Sequence, residues 1–513
     1  MMRLSRSIAF DSEHFSHDLA SKSVRSGLIA ITSQGIQLLL SMAGTIILAR
    51  LLTPNDYGLV GMVTVILGFA RMFVNAGLSM ATIQTEHISH EQISTLFWVN
   101  LAISVFFGLC ILVCAPLVAI FYGRQELTLI TASLSLTFVI TGLTIQHQAL
   151  LNRNMYFGAL ACIQIISQVI VLVVTVTMAW LGWRYWALVA GSFVSELSAA
   201  LLTFFFCPWI PGLMQRGFGV RGMLKFGGHL TVSNIANYLS SNMDNVLIGR
   251  YIGAGALGLY ARAYQLFMMP ITYIRGPIVN VTLPVLCSLR NQPERFLTYY
   301  QRIVDILSTI TIPMSLYCVA ESDFLIKSFL GPQWIAAVPA FRILALAAVM
   351  YPLNGMQALV TMSMGFSVRF LYWGLSNAFL YVAGFIIGLP FGIEGVATGF
   401  AVATCIVGLT SMMYCFRNTP VSASQFVTVQ IFPFLVSILA IGSLLLAKHT
   451  WGDNSMSKPL ARLGIFLVIY IGVSCCRKSN RKIIWLALKD LSMLSGKLRV
   501  WAWIPKSLFR WGK

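Results

Sequence analysis

Charge is what this sequence has least of. Only 10% of its 513 residues are Asp, Glu, Lys or Arg, whereas a soluble chain carries about 25%. With 58% hydrophobic residues and a mean hydropathy of +0.80, that deficit argues against a soluble protein with an oversized core. Long polar stretches are also missing. Loops between apolar runs stay under about 20 residues, too short to hold a separate soluble domain. No HExxH, GxSxG or phosphate-binding P-loop occurs, so the sequence offers no familiar catalytic motif. The ten cysteines include no CxxC pair. Cys110 with Cys114, and Cys475 with Cys476, read as packing residues, with lipidation the alternative for the second pair. No metal and no cofactor are expected.

What the chain has instead is apolar runs of about 20 residues, the length that crosses a bilayer as a helix. Fourteen are readable, near 28–49, 58–81, 95–121, 128–151, 159–181, 185–207, 226–248, 257–284, 303–320, 335–363, 370–389, 393–416, 426–447 and 461–476. The expected fold class is an all-α polytopic membrane protein with about 14 transmembrane helices. Residues 1–27 are polar and mixed in charge, without the apolar core and cleavage site of a signal peptide. They are expected to form a cytoplasmic N-terminal segment.

The net charge of +19 invites a nucleic-acid reading, and its distribution argues against one. With loops assigned alternately, the side holding both termini carries about 23 Lys and Arg and the other about 8. This asymmetry places both termini in the cytoplasm. The loop 82–94 holds Glu86 and Glu91 and no basic residue, but acidic residues count little in this rule. Residues 477–513 hold ten Lys and Arg interleaved with Trp485, Trp501, Trp503 and Trp511. They read as a basic amphipathic tail lying on anionic bilayer lipids.

One phrase is written twice, 200 residues apart. Arg50 aligns with Arg250, Gly58 with Gly258 and Leu59 with Leu259. Upstream, Arg25 aligns with Lys225, Ser33 with Ser233, Gln37 with Asn237 and Ser41 with Ser241. Spans one and seven therefore open two copies of one unit. Six helices per copy put both in the same orientation, the parallel repeat of transporters that rock about a central site. Within the second copy, Gly253-Ala-Gly255-Ala-Leu-Gly258 matches a dinucleotide-binding fingerprint. Flanked by apolar helices rather than a strand, it reads as a turn.

The seventh span carries a polar stripe: Lys225, His229, Ser233, Asn237, Ser240 and Asp244, spaced 4, 4, 4, 3 and 4. The first span carries a thinner one: Arg25, Ser33, Gln37 and Ser41. Such stripes avoid lipid. They serve helix–helix hydrogen bonding or a shared water-filled cavity, and their recurrence in both copies favours the cavity. Arg71 and Arg275 lie inside the second and eighth spans, with Arg262 near the other end of the eighth. Isolated charges at such depth cost at least about 2.5–3.5 kcal/mol each. They either pair across helices or face a cavity, where arginines hold phosphate or pyrophosphate bidentately. Asp244, Glu196 and Asp305 are the candidate coupling groups, with a helix-capping hydrogen bond the alternative for Asp244. Arg50 and Arg250 read as interfacial, as do His147 and Glu394.

The phrases LARLLTPNDYGLVGMVTVILGF and NAGLSMATIQ, then MDNVLIGRYIGAGALGLYARAYQL, GPIVNVTLPVLCSL, PERF and GPQW, resemble the polysaccharide-biosynthesis flippases. These belong to the multidrug/oligosaccharidyl-lipid/polysaccharide (MOP) exporter superfamily. The similarity is closest to the exopolysaccharide and colanic-acid-type group and runs over about residues 20–420. It implies two pseudo-symmetric six-helix lobes, 28–207 and 226–416, joined by a cytoplasmic linker at 208–225 and followed by two C-terminal helices at 426–476. It also implies a non-enzymatic transporter in the bacterial inner membrane. The implied substrate is an undecaprenyl-pyrophosphate-linked oligosaccharide repeat unit moved by alternating access, with polysaccharide polymerase or export proteins as further partners. Three rivals stand beside it: an ion-coupled exporter of organic cations from the same superfamily, a membrane glycosyltransferase or polymer ligase, and a scaffold in a polysaccharide-assembly complex. The resemblance brings no invariant motif to these positions, so the site residues rest on the charge and spacing arguments above.

Overall fold

The regular elements follow the apolar runs, and capping residues set where several begin. The computed structural model describes residues 19–74, 79, 82, 88–214, 238–239, 241–451 and 457–475, and no β-strand occurs among them. In chain order the helices are α1 (Leu19–Leu51), α2 (Pro54–Val74), α3 (His90–Tyr122), α4 (Glu126–Arg153), α5 (Phe157–Trp180), α6 (Tyr185–Phe206), α7 (Ala254–Ser288), α8 (Pro293–Ala320), α9 (Val338–Ala347), α10 (Tyr351–Ser363), α11 (Ser367–Gly388), α12 (Gly392–Cys415), α13 (Ala423–Trp451) and α14 (Ser457–Ser474). Among the described residues, ten helices are long and apolar enough to cross a membrane, one of them running from Val368 to Cys415 through a 3-10 turn at Leu389–Phe391.

Local chemistry explains the boundaries. The second span starts at Pro54, earlier than hydropathy suggests, because Thr53 and Asp56 cap it reciprocally. Thr53 Oγ1 accepts from the Asp56 amide at 3.3 Å, and Asp56 Oδ2 accepts from the Thr53 amide at 3.0 Å. Ser89 and Gln92 do the same for α3, which closes on Gly123 in the left-handed region at φ 68°. The run 335–363, read as one span, is two helices. Pro352 sits at the start of α10, where its missing N–H costs nothing, whereas in mid-helix it would break the ladder. Gly253, at φ 119°, joins the π-helical turn Ile248–Ile252 directly to α7. With helix on both sides of Gly253, GAGALG is a one-residue link followed by the first turns of α7, and not a dinucleotide site. The rest of the seventh span, up to Asn237, lies outside the described residues, as do residues 1–18, 215–225 of the linker and the basic tail.

The chain divides into two compact units: Met1–Pro277 with Leu325–Leu344 and Val368–Val407, and Ile278–Phe324 with Ala345–Ser367 and Gly408–Lys513. In the first, α3 packs on α4, α5 on α6 and on α1, and α4 on α6 and α2. In the second, α13 packs on both α8 and α14, and α10 also touches α8. The helices are apolar outward. On α3 the exposed positions are Phe106, Leu109, Val113, Leu117 and Ile120, while Asn100 and Ser104 are buried. A surface of this kind suits lipid, not water.

The repeated phrase has a structural use in the first unit, where its two copies meet. A β-carbon at Gly58 would collide with the carbonyl of Ala254, and one at Gly258 with the carbonyl of Pro54, residues that are themselves 200 apart. Each copy's glycine thus admits the other copy's backbone, which no side chain would allow. Around this crossing Arg50 Nη2 donates to the Ser328 carbonyl at 2.7 Å. Arg250 lies 5.7 Å from the Phe121 ring centre, and Trp334 Nε1 donates to the Ala49 carbonyl at 2.8 Å. Arg50 and Arg250, read as interfacial, are exposed yet belong to this junction.

Candidate functional site

Arg71 comes from the last turn of α2 and points at α4 and α6. Its Nη1 lies 3.1 Å from Glu196 Oε1, with the side chains 36% and 23% exposed. Glu196 also accepts from Thr141 Oγ1 at 3.2 Å. Arg71 Nη2 reaches Thr137 Oγ1 at 3.4 Å, and its guanidinium carbon stands 6.0 Å from the Phe138 ring centre. Tyr238 donates to the Val65 carbonyl of α2 at 2.8 Å. Arg71 and Glu196, chosen separately from sequence, are therefore partners.

Beyond them lies a pocket of about 380 Å³ among α1, α4, α5 and α6, lined by Gln37, Gln148, Gln164, Ser167, Gln168 and Ser195 with four apolar residues. Gln37 Nε2 donates to Gln164 Oε1 at 3.0 Å. Gln168 Nε2 donates to Ser41 Oγ at 2.6 Å and to the Gln37 carbonyl at 3.2 Å. The stripe members Gln37 and Ser41 of α1 thus meet α5, and Ser33 is buried on the same helix.

The other sequence candidates fall as follows. Arg275 is partly buried on α7. Arg262 stacks on Tyr57, 3.7 Å from its ring centre, and Tyr57 meets Trp334 edge-on at 5.5 Å. Its cation is engaged by an aromatic face. Asp244 is buried and accepts from the Asn245 amide at 2.8 Å and the Tyr260 hydroxyl at 3.0 Å. Asp305 is buried on α8 in the second unit. Lys225, His229, Ser233, Asn237 and Ser240 lie outside the described residues, and Arg25 falls where α1 is described by its backbone alone. His147, read as interfacial, is buried instead. It shares a 3.1 Å hydrogen bond with the Trp209 carbonyl and is boxed by Phe97, Phe204 and Trp209.

Gln148, Gln164, Ser167, Gln168 and Ser195 were not singled out from sequence. The spacing test applied to the seventh span would have found part of the set. Gln164 and Gln168 are four apart on α5, while Thr137, Thr141, Thr144 and Gln148 are spaced 4, 3 and 4 on α4. A second ion pair, this one buried, also escaped notice. Arg462 of α14 holds Glu321, at the end of α8, through Nε–Oε1 at 2.8 Å and Nη2–Oε2 at 3.1 Å, each side chain 1% exposed. Among the described residues no group of three or more His, Cys, Asp or Glu could hold a metal.

Apolar exteriors and polar interiors on long helices define a multi-pass membrane protein. The chain belongs to the polysaccharide biosynthesis protein family, whose model matches residues 47–339. It is 26% identical over 391 residues to the teichuronic acid biosynthesis protein TuaB of Bacillus subtilis (strain 168), covering 74% of this chain and 80% of that one. It is 24% identical over 403 residues to the lipopolysaccharide biosynthesis protein WzxC of Escherichia coli (strain K12), covering 76% and 80%. Its fold is similar to that of the lipid II flippase MurJ in an inward closed conformation, with a TM-score of 0.71, 14% identity, and coverage of 90% of this chain and 100% of that one.

Proposed function

We propose that this protein is a flippase that turns undecaprenyl-pyrophosphate-linked oligosaccharide repeat units from the inner to the outer leaflet of the bacterial inner membrane. The observation that carries this reading is the Arg71–Glu196 pair beside an amide-lined pocket, inside helices whose outer faces are apolar, in a chain of the polysaccharide biosynthesis family. The lipid tail can stay in hydrocarbon. Pyrophosphate and sugars need a wet, partly cationic path, because a charged headgroup is prohibitively costly in bare lipid. No bond is made or broken. On this reading the chain crosses the membrane 14 times, as two six-helix lobes (28–207 and 226–416) plus two further spans, with both termini cytoplasmic. The crossing of Gly58 and Gly258 then lies at the periplasmic end, and the site opens toward the cytoplasm.

Arg71 is assigned to the pyrophosphate together with Arg275, which lies on the repeat-equivalent span and aligns with Asn75, and coupling is assigned to Glu196, the acidic group in contact with Arg71. Asp244 and Asp305 are secondary coupling candidates. Deleting the gene tests the reading. Lipid-linked repeat units should accumulate on the inner leaflet and surface polymer should fall. Unchanged lipid-linked pools with normal polymer would refute it, and a pool of unextended lipid carriers would favour a glycosyltransferase.

A further inference from the structure

The pocket among α1, α4, α5 and α6 has an unusual inventory. None of its lining residues is ionised; its polar groups are amides and hydroxyls. The hydrogen bonds within the cluster fix these side chains without exhausting them. Gln37 and Gln164 are joined by one amide-to-amide bond. Whichever way the two amides are turned, one amide nitrogen and one amide oxygen stay outside that bond. Gln168 spends its nitrogen on Ser41 and the Gln37 backbone and keeps its carbonyl oxygen. Ser167 is buried, and its hydroxyl has no partner among the described residues. A volume of about 380 Å³ falls in the range of small-molecule sites, about 300–1,000 Å³. Packing alone would fill such a space with methyl groups. A half-open pocket whose polar lining keeps unspent donors and acceptors holds water or a ligand that supplies both.

The placement narrows the ligand. Gln148 is seven residues beyond Thr141 on α4, about 10 Å along the axis, and Thr141 touches Glu196, Arg71's partner. Ser195 adjoins Glu196 in sequence. On α4 the pocket's Gln148 lies about two turns from Thr141, and on α6 its Ser195 is next to Glu196, so a neutral hydrogen-bonding pocket begins beside the charged pair. A phosphate in the pocket would meet no compensating charge. A sugar hydroxyl or acetamido group, donor and acceptor at once, matches what is left over.

We propose that this pocket is a sugar subsite: it takes one uncharged, hydroxyl-bearing sugar of the lipid-linked oligosaccharide, a residue or two beyond the pyrophosphate held by Arg71. The assignment rests on the flippase reading and names the part of the substrate that the pocket reads.

The test uses the full-length protein in lipid nanodiscs, titrated with undecaprenyl pyrophosphate and with undecaprenyl-pyrophosphoryl di-N-acetylchitobiose, binding being followed by tryptophan fluorescence. The wild type should bind the glycosylated lipid more tightly. Gln148→Leu should lose most of that preference, roughly tenfold for one site-defining amide, with affinity for the bare lipid unchanged. Should Gln148→Leu not accumulate, Gln148→Asn keeps the amide but retracts it and should lose part of the preference. A wild type without preference, or variants that keep it in full, would overturn the sugar subsite and leave the flippase reading standing. A wild type that binds neither lipid would overturn both.

Discussion

Arg71 can act for structure or for substrate, and its partner separates the two. The pair with Glu196 is partly exposed at 3.1 Å, so it is screened and weak as a stability element. If Arg71 serves the pyrophosphate, Glu196 competes for the same guanidinium. Glu196→Gln should then tighten binding of undecaprenyl pyrophosphate, while Arg71→Ala should weaken it roughly tenfold to hundredfold. Arg71→Lys should fall between, since the point charge survives and the bidentate geometry is lost. If the pair only holds α2 to α6, both neutralisations should lower the melting temperature and leave lipid affinity unmoved. Titration of the three variants beside the wild type decides it. The coupling role assigned to Glu196 adds one outcome: transport by Glu196→Gln should no longer respond to the membrane gradients.

Among the elements, α14 offers the sharpest case. Arg462 and Glu321 form a two-pronged pair sealed from solvent, and Tyr470 of the same helix donates to the Thr309 carbonyl of α8 at 2.7 Å. Removing one partner strands a buried charge, a loss of about 3–5 kcal/mol. Arg462→Met alone should lower the thermal midpoint in detergent sharply. Glu321→Leu added to it should recover most of the loss, because two apolar residues replace two paired charges. A single Arg462→Met variant as stable as the wild type would contradict the assignment. This pair also marks what could be read in advance. Hydropathy located most of the described helices, since lipid solvation acts on each run by itself. It missed breaks such as the one before Pro352, which depend on a single backbone donor. It placed Arg71 and Glu196 on their helices without joining them, and left Gln164 and Arg462 unmarked. Arg462 meets a residue 141 positions away, and no local period encodes a pairing across that distance. The repeat showed that Gly58 and Gly258 correspond, and the structure adds why: each admits the other copy's backbone.

At the scale of the whole molecule, the account makes the chain a carrier with an apolar exterior, a polar site in its first unit, and a junction where the two copies of the repeat close on each other. The measurement that tests this most directly is reconstitution of the purified protein into liposomes containing undecaprenyl-pyrophosphoryl di-N-acetylchitobiose in the inner leaflet only. A membrane-impermeant lectin then reports how much of the sugar reaches the outside. The account predicts that the accessible fraction rises with time in proteoliposomes, and rises more slowly with Arg71→Ala than with the wild type. An accessible fraction that stays at the level of protein-free vesicles, in the presence of proton and sodium gradients of either sign, would contradict it.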